Sequence, residues 1–222
     1  MLDVAIRRLD GSTAVDLARP TAPALPVHPA LAGVLPGGLR RGSTLSVTGS
    51  VSLVLALLGA ASADGAWCAL VGFPLVSAEA AREYGIELSR LAVVPHPGTA
   101  WTTAIGALLD AVDVVATRPQ RIVPGDVRRL GARARSRDSV LMPFLTTADA
   151  PWPGADVRLQ ARDGRWVGIG AGTGRLRARL LDVTAEGRGP AARPRSASVW
   201  LPAAGGGVEV TERLAPVVEL AG

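Results

Sequence analysis

From Ser43 onward, short apolar runs alternate with longer segments that carry apolar residues at helical spacing. "STLSVTG" reads as a strand, and "VSLVLALLGAASADG" as a helix apolar on every face, hence central, with Gly65 near its stop. "AWCALVGF" is the next strand, and "SAEAAREYG" a short helix capped by Ser77 and ended near Gly85. "LSRLAVVPHP" supplies a third strand, "TAWTTAIGALLDAV" a helix and "DVVATRP" a fourth strand. "PGDVRRLGARARSRD" is a basic helix opened by Pro124, and "SVLMPFL" a fifth strand. Such alternation predicts right-handed crossovers and a mainly parallel sheet with helices on both faces.

After "TTADAPWPGA" the rhythm changes. "DVRLQARDGRWVGIG", "GRLRARLLDVTAEG" and "PRSASVWLP" read as strands joined by glycine turns with no helix between them, so antiparallel strands close the C-terminal side. Upstream, "PTAPALPVHPALAGVLPGGLRRG" is a proline-rich lead-in with turn signals at Pro36-Gly37-Gly38. "MLDVAIRRLDGSTAVDLAR" could be a short helix or a helix and a strand. The expected organisation is an arm and proline-rich linker over 1–26, a core over 27–204, and a tail over 205–222 that begins with a glycine-rich spacer.

Composition sharpens this picture at a few points. The chain has 222 residues, enough for one domain, and 48% of them are hydrophobic, so disorder throughout is excluded. All 24 basic residues are arginine, which excludes chemistry that needs a lysine ammonium. The formal charge of +5 suits an acidic partner, nucleic acid included. The single cysteine, Cys68, falls in an apolar strand and reads as a small buried hydrophobe. The N-terminus shows no signal-peptide hydrophobic region, and the run Val51–Ala63 is too short to span a bilayer, so a cytoplasmic protein is expected.

The order of these pieces resembles the core of the RecA recombinase. The similarity runs through "LAGVLPGGLRRGSTLSVTG", "GAWCALVGF", "AAREYGIELSRLAVVPHPG", "LLDAVDVVATRP" and "ADVRLQARDGRW", covering about residues 31–200. More narrowly, the pattern resembles the shortened RecA-like accessory proteins of actinobacterial mutagenesis cassettes, the ImuA-prime type. That resemblance implies a partner, ImuB, which is an inactive relative of Y-family polymerases. Through it the resemblance implies an error-prone replicative polymerase paralogue, and a nucleoid association on DNA damage.

The nucleotide chemistry of that family is missing at the expected positions. A phosphate loop G-x-x-x-x-G-K-[ST] wraps phosphates with backbone N–H groups, neutralises them with Lys and ligates magnesium with the hydroxyl. Counted from Gly49, its second glycine, lysine and hydroxyl fall on Val54, Leu55 and Ala56. Gly49, Ser50 and Ser52 mark a vestige of the loop, able at most to offer a helix N-terminus to an anion. The resemblance places a catalytic glutamate after the second strand, where the chain reads "GFPLVS". It places a metal-binding aspartate at the end of the fourth strand, where the chain reads "VVATRP". Asp113 comes several residues too early. The expectation is no catalysis, no cofactor and no metal.

Binding surfaces remain. Arg118, Arg121, Arg128, Arg129, Arg133, Arg135 and Arg137 crowd one loop and helix, either as a solvated face or as a surface for phosphates or an acidic partner. By helical spacing Arg121, Arg128 and Arg135 approach one face, and Arg129 and Arg133 another. Arg158, Arg162, Arg165, Arg175, Arg177 and Arg179 could form a second stripe along strands. The counterpart of the family's second DNA loop, "TTADAPWPGA", has no basic residue. Trp67, Trp166 and Trp200 fall on strands and read as core, whereas Trp101 and Trp152 adjoin loops and are the better candidates for interface anchors, with a structural role as the leading alternative. His28 and His96 lack a nucleophile pattern. In the tail, Val210, Leu214, Val217 and Val218 are candidates for holding a partner. The resulting expectation is a non-catalytic RecA-like adaptor in damage-induced translesion synthesis. Its rivals are a DNA-binding module using the arginine surface and a residual nucleotide-binding ATPase.

Overall fold

The computed structural model describes residues 23–170, 173–188 and 192–211. The expected N-terminal arm lies largely outside them, as do Leu214, Val217 and Val218 of the tail. The chain enters through a one-turn helix α1 (Pro29–Ala32), which the sequence did not announce; His28 caps it, its Nδ1 accepting from Ala30 N at 3.2 Å. Then come β1 (Leu45–Thr48), α2 (Val51–Ala63), β2 (Cys68–Val71), α3 (Ala78–Glu83), β3 (Leu91–Val94), α4 (Trp101–Ala111), β4 (Val114–Thr117), α5 (Pro124–Arg137) and β5 (Val140–Leu145). The long strands β6 (Val157–Gly170) and β7 (Thr173–Gly187), then β8 (Arg195–Trp200) and β9 (Glu209–Val210), complete one sheet.

Its order is β3-β2-β4-β5-β1-β6-β7-β8-β9. The pairs from β3 to β6 are parallel, and the pairs from β6 to β9 antiparallel, as the two rhythms of the sequence predict. Each crossover from β1 to β5 contains a helix, so the central strands are buried on both faces and read as continuous apolar runs. Along β4 and β5, Val114, Ala116, Val140, Met142 and Phe144 pack into the core on one face, with α2. Val115, Leu141 and Leu145 pack into a second core on the other face. There α4 presents Trp101, Ile105 and Leu109, and α5 presents Val127, Leu130 and Ala134, both at helical spacing.

Val210 lies on β9, opposite Val199 of β8, so the sheet continues past Gly205 into the segment read from the sequence as tail. Among the described residues no helix is long and apolar enough to cross a membrane.

Candidate functional site

The C-terminal ends of the parallel strands are where this architecture places ligands. The junction of β1 and α2 there is only Gly49 and Ser50. Gly49 turns the chain with φ +93°, and its N–H donates to Leu145 O at 3.1 Å. A Cβ on Gly49 would stand 2.5 Å from the backbone carbonyl oxygen of Ala161, so β6 presses directly on the turn. Ser50 is buried and caps α2, its Oγ accepting from Leu53 N at 3.3 Å. A junction of two residues leaves no longer loop to wrap an anion.

The rest of α2 deepens this closure. Val54, Leu55 and Ala56 are core residues, Leu55 only 3% exposed. Ser52 is half-buried and close enough to the Tyr84 hydroxyl to act on its titration. Tyr84 closes the C-terminal end of α3 and approaches α2 at Gly59, where a Cβ would meet the Tyr84 backbone carbonyl. Burial pushes the Tyr84 phenol above its ordinary pKa, against the opposing effects of Ser52 and Arg179.

The family's acidic positions hold other chemistry. After β2, Gly72 (φ +82°) and buried Phe73 are followed by a fully exposed Leu75. At the end of β4, buried Thr117 accepts from Trp101 Nε1 at 2.9 Å. Asp113 precedes β4, at the opposite end of the strand, and accepts from Arg41 Nη1 at 2.5 Å and from Trp67 N at 2.8 Å. It is a latch between strand starts. Among the described residues, no three or more His, Cys, Asp or Glu side chains group as metal ligands. Cys68 is fully buried, and burial, with Asp113 adding to it, pushes its thiol up to about 12.

The first arginine set divides. Arg121 lies in the loop before α5 rather than on the helix face with Arg128 and Arg135, because the helix begins only at Pro124. Arg129 and Arg133 do not act together. Arg129 pairs with Asp126 at 2.7 Å on its own helix, while Arg133 clasps Asp110 of α4 through Nε (2.8 Å) and Nη2. Arg137 Nε joins the same carboxylate at 3.0 Å. The Arg133 hydrogen bond, with the charges of Arg133 and Arg137, holds Asp110 down at about 2. Those partners come from α4, which sequence spacing within α5 cannot reveal. Arg118, Arg121, Arg128 and Arg135 are exposed and form no ion pair among the described residues.

The tryptophans correct the sequence reading. Trp67 and Trp166 are exposed, because Trp67 sits before β2 at the sheet margin and Trp166 on a part of β6 that has outrun its neighbour β1. Trp101 and Trp152 are buried in the second core, because α4 and the β5–β6 loop fold down onto the sheet. That loop is held by Asp149, which accepts from Thr146 N at 2.6 Å and from its hydroxyl at 2.8 Å. Beneath it opens a polar cleft of about 240 Å3, lined by Ser46, Thr48, Arg158, Gln160, Thr184 and Glu186. Sequence reasoning missed it, since its walls come from three strands. Only the outward alternation of polar residues on β1, β6 and β7 hinted at it.

A crystal structure of the RadB recombinase superposes with a TM-score of 0.61 at 15% identity, covering 83% of this chain and 97% of that one. This establishes the RecA-like fold. The uncharacterized protein Rv3395c of Mycobacterium tuberculosis is 35% identical over 129 residues, 57% of this chain and 61% of that protein. The chain thus spans less than two thirds of that relative's length. Residues 33–154, from the end of α1 into the β5–β6 loop, match the family described as the MT3502 N-terminal domain, and the chain belongs to that family.

Proposed function

We propose that this protein is a non-catalytic RecA-like adaptor of the ImuA-prime type. It works in damage-induced translesion synthesis by joining an ImuB-like protein to an error-prone replicative polymerase paralogue. The observation that carries the reading is the closed β1–α2 turn. The backbone of Ala161 lies against Gly49, Ser50 is spent on capping α2, and Leu55 stands in the core at the position of the phosphate-binding lysine. Phosphoryl transfer depends almost wholly on positioning and on stabilising charge. A site with neither the cation nor the two carboxylates supplies little of either. What is left to a RecA-like chain is its surface, and a relative in a mycobacterium accords with a role in an actinobacterial cassette.

The test is recovery of the tagged full-length chain from DNA-damaged cells. The expected result is an ImuB-like protein that co-purifies after nuclease treatment and without added nucleotide. Recovery that vanishes with nuclease, or that requires ATP, would overturn the adaptor role. A steep salt dependence of direct DNA binding would then favour the exposed arginines Arg118, Arg121, Arg128 and Arg135 as a phosphate surface.

A further inference from the structure

β6 pairs with β1 only over Val157–Gln160, and β7 pairs with β8 only over Leu180–Ala185. Beyond those limits the two strands continue as a two-stranded ribbon, with Ala161 and Ala178 buried at its base and residues 164–168 and 175–177 exposed. A solvated ribbon is expected to be polar, yet this one exposes Trp166 (43%), Val167 (38%) and Leu176 (51%). Arg165, Arg175 and Arg177 are exposed beside them, and no described carboxylate lies within ion-pairing distance of the three. Glu83 shares with Arg175, Leu176 and Arg177 the lining of a shallow pocket of about 310 Å3. The contrast with α5 is direct, because there Asp110 and Asp126 already engage three arginines.

Resting on the adaptor reading, we propose that this outer ribbon is the docking surface for an extended acidic segment of a partner protein, with apolar side chains set between its carboxylates. Trp and Arg together, flanked by aliphatic residues, are the composition of a protein-binding hot spot. The ring of Trp166 lies beside its cross-strand neighbour Arg179, whose guanidinium carbon is 5.7 Å from the ring centroid. The pairs Arg165–Leu180, Trp166–Arg179 and Val167–Ala178 are in regular register, so Trp166 lies on one face of the ribbon with Arg179 and Val167 on the other with Arg165. Each face thus sets an apolar side chain beside an arginine, which an apolar-acidic segment matches in both respects. The contact runs through side chains. Register shifts between Arg162 and Arg165, and between Val167 and Ile169, break the ladder that an added strand would need.

The experiment titrates the full-length protein into a fluorescein-labelled 14-residue peptide that alternates glutamate with valine. The same peptide with lysine for glutamate, and a 20-nucleotide oligothymidylate, serve as comparisons. The acidic peptide is expected to bind in a salt-dependent way, and the lysine peptide not at all. Affinity should fall at least tenfold in Trp166→Ala/Leu176→Ser and, separately, in Arg175→Ser/Arg177→Ser, each checked for parental thermal unfolding. Arg128→Ser should leave it unchanged. The proposal is overturned if the acidic peptide fails to bind the parent, or if both ribbon variants bind it normally. It is equally overturned if the ribbon variants abolish oligothymidylate binding instead. Partner recovery from damaged cells separates the two claims. If ribbon variants recover the partner as well as the parent does, the ribbon proposal falls and the adaptor stands. If the parent recovers none while the peptide still binds the ribbon, the adaptor reading falls.

Discussion

Gly59 offers a test in which local propensity and tertiary structure predict opposite signs. It lies in the middle of α2, where replacing glycine by alanine in an unobstructed helix stabilises by about 1 kcal/mol. Here the backbone of Tyr84 rests on the bare Cα. A methyl group would stand 3.0 Å from the Tyr84 carbonyl carbon and closer still to its oxygen. Both partners are backbone, so no flexible side chain can yield, and the C-terminal end of α3 must lift away from α2. Overpacking of this kind costs about 1–3 kcal/mol or more. A clash this close to rigid backbone lies at the upper end of that range, so after the helix gain Gly59→Ala should lose about 2 kcal/mol, a fall in Tm of about 4–8 °C for a domain of this size. Gly33→Ala is the control. Its φ is −63° and no atom lies within 4 Å of the added carbon, so the change should be neutral or stabilising by about 0.4–1 kcal/mol. Urea denaturation of the three proteins decides. A Gly59→Ala protein as stable as its parent would refute the close approach of α3 to α2.

Gly49→Ala should destabilise by about 3 kcal/mol or more, since a left-handed backbone and the Ala161 carbonyl both oppose it. Gly65→Ala, at φ +98° but with open space around it, should lose only about 1–2 kcal/mol; equal losses by urea denaturation would contradict the packing of β6 on the turn. Asp110 has a depressed pKa in the folded protein, so the stability it contributes is present above the ordinary carboxylate range and lost as pH falls toward about 2. The stability gap between the parent and Asp110→Asn should therefore hold steady from about pH 7 to 5 and close between about pH 4 and 2. A gap that survives at the acid end would show that Arg133 and Arg137 do not set it.

The fold was legible because each level of the sequence agreed with the next. Fully apolar runs such as "VVAT" and "VLMPFL" belong to strands covered on both faces, and the helices between them carry their apolar residues at helical spacing. The two-residue turn at Gly49 was legible for the same reason, as one strand pattern stops and a helix pattern starts immediately after it. What could not be read was anything set by a partner distant in sequence. Ala161 seals the turn from more than a hundred positions away, and Asp110 on α4 decides which α5 arginines are engaged. The tryptophans inverted because a strand assignment does not say whether the neighbouring strand is long enough to cover it. β1 stops at Thr48, so Trp166 on the longer β6 is left in water. Trp152 lies in a segment with no periodicity at all, and only the folding of the β5–β6 loop onto β5 buries it.

The central claim is that the two-residue β1–α2 turn holds no nucleotide, and thermal unfolding in rising magnesium-ATP measures this most directly. A ligand that binds only the native state must stabilise it. At one hundred times its Kd the gain is about 2.7 kcal/mol, which for a domain of this size raises Tm by about 5–10 °C. With Ser50 capping α2, Ala161 pressed on Gly49 and Leu55 in the core, the Tm should be the same from zero to millimolar magnesium-ATP. A Tm that climbs with ATP concentration and needs magnesium would contradict the account.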